Sequence, residues 1–236
     1  MQDRTSLRAS GLDPDDMALG FGHLGWIPIG AAVGFTLSLV FGDLVSLPVD
    51  LYYLVYFTGV LGFLGFYARR TGLRVRALAA RRILAALVLG VVGGLVLSRG
   101  VMLRPATSPL HGAELVWALI WRGLIYGSVD GLLLIAFPWT VAWRAFGGER
   151  RGVRRKLAAS AAAWAAILLV TTCYHLGYAD FRSRRIVQPN IGGTISALPT
   201  LVTANPIAGP VSHVFLHVTA VLHVPETDLF LPPHRD

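Results

Sequence analysis

The chain has little charge. Of its 236 residues only 14% are Asp, Glu, Lys or Arg, against about a quarter in soluble domains. With 54% hydrophobic residues, that deficit excludes a disordered chain and an ordinary water-soluble globule. Cysteine is scarcer still. Cys173 is the only one, so an intramolecular disulfide and a cysteine-based zinc cluster are both excluded. It sits in an apolar run, where a lone cysteine reads as a small packing residue. Lysine is nearly absent as well: Lys156 is the one lysine among 21 cations. The formal net charge of +8 would raise the question of nucleic acid, but the cations are clumped between apolar runs. They read as orientation signals for a membrane protein, and no nucleic-acid partner is expected.

What the chain has in abundance is apolar length. Runs at 21–42, 49–68, 83–103, 113–143, 157–178 and 201–224 each approach or exceed the ~20 residues that cross a bilayer. Backbone groups in lipid must be satisfied internally, so the reading is an all-α polytopic transmembrane helical bundle of about six spans. It forms a single integral membrane domain over 1–236, with an N-terminal tail (1–20), a polar-site region (113–224) and a C-terminal tail (225–236). Asp3, Asp13, Asp15 and Asp16 make the N-terminus too acidic for a signal peptide, so the first span is expected to stay. Two loops hold twelve of the cations: Arg69, Arg70, Arg74, Arg76, Arg81 and Arg82, then Arg144, Arg150, Arg151, Arg154, Arg155 and Lys156. Both are expected on the cytoplasmic side of the cell membrane. Six crossings would then leave the N- and C-termini cytoplasmic too, with 113–143 crossing once and bending at Gly127, Gly131 or Pro138; two short helices there, the alternative, would reverse everything after them. Residues 186–210, with four prolines and three glycines, read as a loop folding back at the membrane. A Pro/Gly-broken segment thus precedes a last helix that Pro210 starts and Pro225 ends.

Polar groups inside such spans are costly and point to function. The fourth run carries Glu114, Arg122 and Asp130. Arg122, Tyr126 and Asp130 follow i, i+4 spacing and share a face. Arg122 keeps its charge and requires an anionic partner; Glu114, eight residues earlier and about 80° around a helix, could reach the same side. His175 ends the fifth run, and His213 and His217 follow as H-x3-H, which puts both imidazoles on one helix face. That is the spacing of a two-histidine chelate, without the Glu of HExxH. Haem is disfavoured, since two ligands one turn apart cannot take opposite axial positions. His223 falls on another face, near the expected cytoplasmic end.

In order, these pieces resemble a known pattern. Trp121-Arg122-Gly123-Leu124-Ile125-Tyr126-Gly127 is similar to the [F/W]RG-x-[L/I]-Y-G run of the CPBP family, the CAAX-protease and bacteriocin-processing (Abi) membrane proteins. Cys173-Tyr174-His175-Leu176-Gly177 resembles that family's FxxxH motif, and His213-x3-His217 its HxxxN motif. The resemblance covers about 113–224. Ala118 and Trp117 stand where the family has paired glutamates, Thr171 where it has Phe, and His217 where it has Asn. The resemblance implies an intramembrane peptidase in which Glu114 activates water and Arg122 positions that carboxylate. His175 and His213 would then be electrophilic or metal-binding partners.

The expected site is therefore Glu114, Arg122, His175 and His213 for chemistry, with His175, His213 and His217 around a divalent metal such as zinc. Expected partners are the lipid bilayer and a membrane peptide or protein substrate. Two other classes fit the same residues. One is a small-solute or proton transporter using Arg122, Asp130 and the histidines, although no inverted repeat is evident. The other is a non-catalytic or cofactor-binding subunit of a larger membrane complex.

Overall fold

The computed structural model describes residues 20–148, 152–226 and 229–232. Most of the expected N-terminal tail, Arg150, Arg151 and the last residues of the expected C-terminal tail lie outside them. The described chain is a helical bundle of α1 (Phe21–Leu44), α2 (Val49–Thr71), α3 (Val75–Ala80), α4 (Ile83–Met102), α5 (Gly112–Ala145), α6 (Val153–Leu176), α7 (Val187–Thr203) and α8 (Ala208–His223). Five of these, α1, α2, α4, α5 and α6, are long and apolar enough to cross a membrane. The chain is an integral membrane protein, as the apolar runs required.

The elements begin and end where local chemistry dictates. α2 has Asp50 in its first turn and Arg69 and Arg70 in its last, matching the helix dipole, and Gly72 closes it in the left-handed region at φ 62°. α5 runs unbroken for 34 residues, about 50 Å of helix against ~30 Å of hydrocarbon. Two π-helical stretches interrupt its α-helical winding, Leu119–Ile125 and Leu132–Ala136. The second directly precedes Pro138, whose missing N–H and bulky ring an unmodified α-helix would not accommodate. Ile135, Trp139, Val141 and Ala142 on α5 are completely or almost completely buried, so α5 is the bundle's central helix.

The region expected to be a loop, 186–210, is mostly helix. α7 spans 187–203 with Pro199 inside it, and the break is confined to Ala204–Ile207, where Ala204 takes φ 51°. Burial supplies the reason. Gly193, Ser196, Ala197, Thr200 and Thr203 pack inward, and Thr203 Oγ donates to the Pro199 carbonyl at 2.6 Å. Pro210 does stand in the first turn of α8, which ends at His223 before Pro225.

This added helix changes where the chain comes out. The two arginine-rich loops share one face, where Arg144 donates to the Thr71 side chain and carbonyl at 3.1 and 2.9 Å. The α7–α8 turn lies there too, through Asn205 Nδ2 donating to the Ala79 carbonyl at 2.9 Å. At the opposite face, His223 Nε2 donates to the Arg104 carbonyl at 2.9 Å, and the His223 carbonyl accepts from Thr107 N–H at 3.1 Å. Residues 223–226 therefore lie away from the arginine loops, contrary to the expected return of the C-terminal segment and of His223 to that side. Against the six crossings expected from the apolar runs, α7 and α8 form a hairpin, each about 25 Å long, that adds one more traverse of the bundle.

α8 reaches the centre by close approach. Gly123, Gly127 and Gly131 line α5 at four-residue intervals, and a Cβ at Gly127 would stand 2.9 Å from Val214 Cα and one at Gly131 2.6 Å from Pro210 Cα. On α4, a Cβ at Gly94 would lie 2.6 Å from Phe215 Cβ, and one at Gly90 2.8 Å from the Ala208 carbonyl oxygen. Two glycine surfaces thus clamp one helix between them, the small-residue packing that membrane helices use. The glycines of the Arg122–Gly127 run serve this contact rather than a hinge.

Candidate metal centre and its cavity

Those glycines set the site. Asp130 falls between Gly127 and Gly131 on α5, and His213 and His217 face it from α8. All three are buried, at 2%, 6% and 3% exposure. His213 Nε2 donates to Asp130 Oδ2 at 2.9 Å, and His217 Nε2 stands 3.8 Å from the same oxygen. Tyr56 on α2 donates to Asp130 Oδ1 at 2.6 Å. Among the described residues neither ring nitrogen of His217 has a partner of ordinary hydrogen-bond geometry, although the Phe230 carbonyl approaches it. One ligand atom from each of Asp130, His213 and His217 lies within 4.8 Å of the others. Two zinc ligands in tetrahedral geometry stand about 3.4 Å apart, so small side-chain movements would bring this set onto one ion. On the far side of His213, Ser196 Oγ lies 3.4 Å from Nδ1.

A layer of tyrosines backs the cluster. Tyr52, Tyr53, Tyr56, Tyr126, Tyr174 and Tyr178 are all fully or almost fully buried. Their hydroxyls link Tyr126 to Tyr174 at 2.8 Å and Tyr174 to Tyr178 at 3.0 Å, and Tyr178 bonds Tyr52. Tyr53 stacks on Tyr126 at 4.6 Å, and Tyr126 meets His217 edge-on at 4.7 Å. Through the Tyr56–Asp130 bond and the Tyr126–His217 contact, these rings fix the orientation of the carboxylate and of His217.

In front of His213 is a cavity of about 280 Å³, walled by α4, α5, α6, α7 and α8. His175 lines the same cavity. Its Nδ1 bonds the Thr171 carbonyl at 2.8 Å. A carbonyl only accepts, so Nδ1 carries the proton and Nε2 of the neutral ring keeps a lone pair, available as a base or ligand. Phe181 and Tyr174 hold this ring edge-on at 4.9 and 5.0 Å.

Of the expected site residues, the structure brings His213, His217 and His175 to one place. It does not bring the other two. Glu114 is exposed in the first turn of α5 and lines no part of the cavity. Arg122 pairs with Asp50 at 3.7 Å rather than with Glu114, beside Trp117, which donates to Asp50 at 3.2 Å. The physical reason is the length of α5: its first turns run well short of the bundle centre, so residue 130, not 122, occupies mid-depth. The carboxylate at the histidines is Asp130, and the grouping whose ligand atoms converge is Asp130, His213 and His217, with His175 outside it.

Tyr56 and Ser196 were not legible as site residues. The signal for Tyr56 was present: Tyr52 and Tyr56 follow i, i+4 spacing in an apolar helix, where hydroxyls need partners. Ser196 carries no sequence signal of its own.

Fold and site together define a helical membrane bundle built around a buried carboxylate–histidine cluster that borders a cavity. Compared with protein-family models, curated proteins and solved structures, the chain matches none of them.

Proposed function

We propose that this protein is an intramembrane metal-dependent hydrolase, with Asp130, His213 and His217 holding a divalent ion such as zinc. The observation that carries this reading is His217, a buried imidazole without a hydrogen bond of ordinary geometry among the described residues, its Nε2 3.8 Å from a carboxylate that already holds a second histidine. Leaving buried polar atoms without partners is costly, and a shared cation would satisfy all three groups at once. Two histidines and one carboxylate also leave positions open for water and substrate, as catalytic zinc sites require.

In this reading the ion supplies Lewis acidity and an activated water. Ser196 accepts the Nδ1 proton of His213 once Nε2 is a ligand, fixing the ring. Tyr56 holds Asp130 by its other oxygen. His175, with its Nε2 lone pair at the cavity wall, is the proton acceptor for the attacking water. The resemblance to the CPBP proteins supports a hydrolytic role and implies a peptide bond as its target; it places the carboxylate at Glu114, where this reading has Asp130. The arginine loops are cytoplasmic by the positive-inside rule, in the cell membrane, and residues 223–226 are on the other side.

Metal analysis of the purified, zinc-equilibrated protein tests the reading. The expected result is one zinc per chain, lost in His217→Ala while the protein stays folded. A folded wild-type chain that takes up no zinc, manganese or iron would sink it.

A further inference from the structure

The cavity in front of His213 opens sideways. Val96 on α4 and Ile191 on α7 line it and are 52% and 56% exposed, more than a closed wall would leave them. The seam between these helices therefore faces lipid. Gly100 and Gly192 stand in the same wall without side chains. At Gly192 the nearest atom to an added Cβ is Leu97 Cδ2 at 4.0 Å, so the seam is thin.

The two ends of the cavity differ. Arg104, just past the end of α4, and Gln188, in the first turn of α7, line the end on the face away from the arginine loops. His175, in the last turn of α6, belongs to this same end, because Thr172 one turn before it bonds Asn190 just beyond Gln188. Inward from there the wall is apolar, with Leu97, Leu134, Ile135, Ile195 and Leu216, until His213. An extended peptide would bring an N–H and a C=O at every residue, each demanding a partner where water is absent. This wall offers few. A hydrocarbon chain demands none, and an anionic group at its end would meet Arg104.

We infer that the cavity takes a lipid with one acyl chain, which enters from the bilayer between α4 and α7 and sets an anionic head group against Arg104. This rests on the metal-hydrolase reading only in making the lipid a substrate; the binding itself depends on the cavity alone. The head group lies near the membrane face and the chain runs inward past His213, so the bilayer rather than water delivers the ligand.

The test uses the full chain in phosphatidylcholine nanodiscs with a photoactivatable palmitate as probe. Cross-links are expected on α4 and α7 around residues 96–97 and 191–195. Excess palmitate should suppress them, and hexadecanol should do so about tenfold less well. Arg104→Gln, a change at an exposed residue, should weaken labelling about tenfold, and Gly192→Trp, which closes the seam, should abolish it. Labelling spread evenly over lipid-facing residues such as Leu54 and Leu84 would overturn the inference. So would hexadecanol competing as well as palmitate. The wild-type chain separates the two readings: cavity labelling without metal uptake upholds the lipid site and sinks the metal centre, and metal uptake without cavity labelling does the reverse.

Discussion

His213 on α8 donates to Asp130 on α5 at 2.9 Å, across a seam where Gly127 and Gly131 remove every intervening side chain. An added Cβ at Gly127 would lie 3.2 Å from His217 Cδ2, and one at Gly131 3.1 Å from His213 Cβ. The carboxylate and the imidazoles meet because the helix backbones do.

The carboxylate is therefore the most sensitive position. Asp130→Asn should lower zinc affinity by more than about a hundredfold, since it removes the anionic ligand and its charge. Isothermal titration of the metal-stripped protein measures this. Affinity within about threefold of wild type would show that Asp130 only pairs with His213.

Ser196 acts one bond further out. Ser196→Ala should weaken zinc by about 10–100-fold and leave the stoichiometry at one ion. Ser196→Thr, which keeps the hydroxyl, should recover part of the loss. A structural role alone would move thermal stability and not affinity.

The glycine seam predicts a loss of both stability and metal. Gly131→Val puts bulk against Pro210 Cα, which is backbone and cannot turn away. Destabilisation of at least about 1–3 kcal/mol is expected, read as a fall in the midpoint of thermal unfolding in detergent. Gly62→Ala is the control, since nothing lies within 4 Å of its added Cβ, and it should leave the midpoint unchanged or slightly raised.

Glu114→Gln and Arg122→Gln should do little. The Arg122–Asp50 pair is 3.7 Å long and its Asp50 is half-exposed, so it contributes at most about 1 kcal/mol. Zinc content and any hydrolytic turnover should match wild type. A turnover collapse in Glu114→Gln would restore that residue as the activating base and remove His175 from the role.

The order of faces can be read chemically. In a Cys173→Ser background, cysteines introduced at Ser46 and Thr107 should react with a membrane-impermeant maleimide from one side of oriented vesicles, and those at Arg76 and Arg154 from the other. Labelling of Thr107→Cys and Arg76→Cys from the same side would contradict the packing of α4.

The fold was legible in the sequence where a single physical rule decided it. Apolar length fixed the five long helices, and Pro210 and Pro225 marked the last one. Where two rules competed, the stronger was tertiary. Four prolines and three glycines in 186–210 argued for a loop, yet burial against α4, α6 and α8 made most of it α7, and that one helix moved the chain's exit to the other face. The site divided in the same way. H-x3-H carried the histidines because their spacing is local to one helix. The choice among Glu114, Arg122 and Asp130 depended on how deep each turn of α5 sits, and depth follows from a 34-residue helix whose overhang the sequence does not declare. Asp130 was visible as a costly group, but its partners were not.

The cluster draws its members from distant stretches of one polypeptide: Tyr56, Asp130 and the α8 histidines. Synthesis runs in that order. When α5 first enters the bilayer its carboxylate has only the Tyr56 hydroxyl available, and it stays so until α8 emerges from the ribosome some eighty residues later. A nascent chain halted before residue 208 thus holds this carboxylate in hydrocarbon without its histidine partner. Docking of the α7–α8 hairpin is the event that ends that exposure.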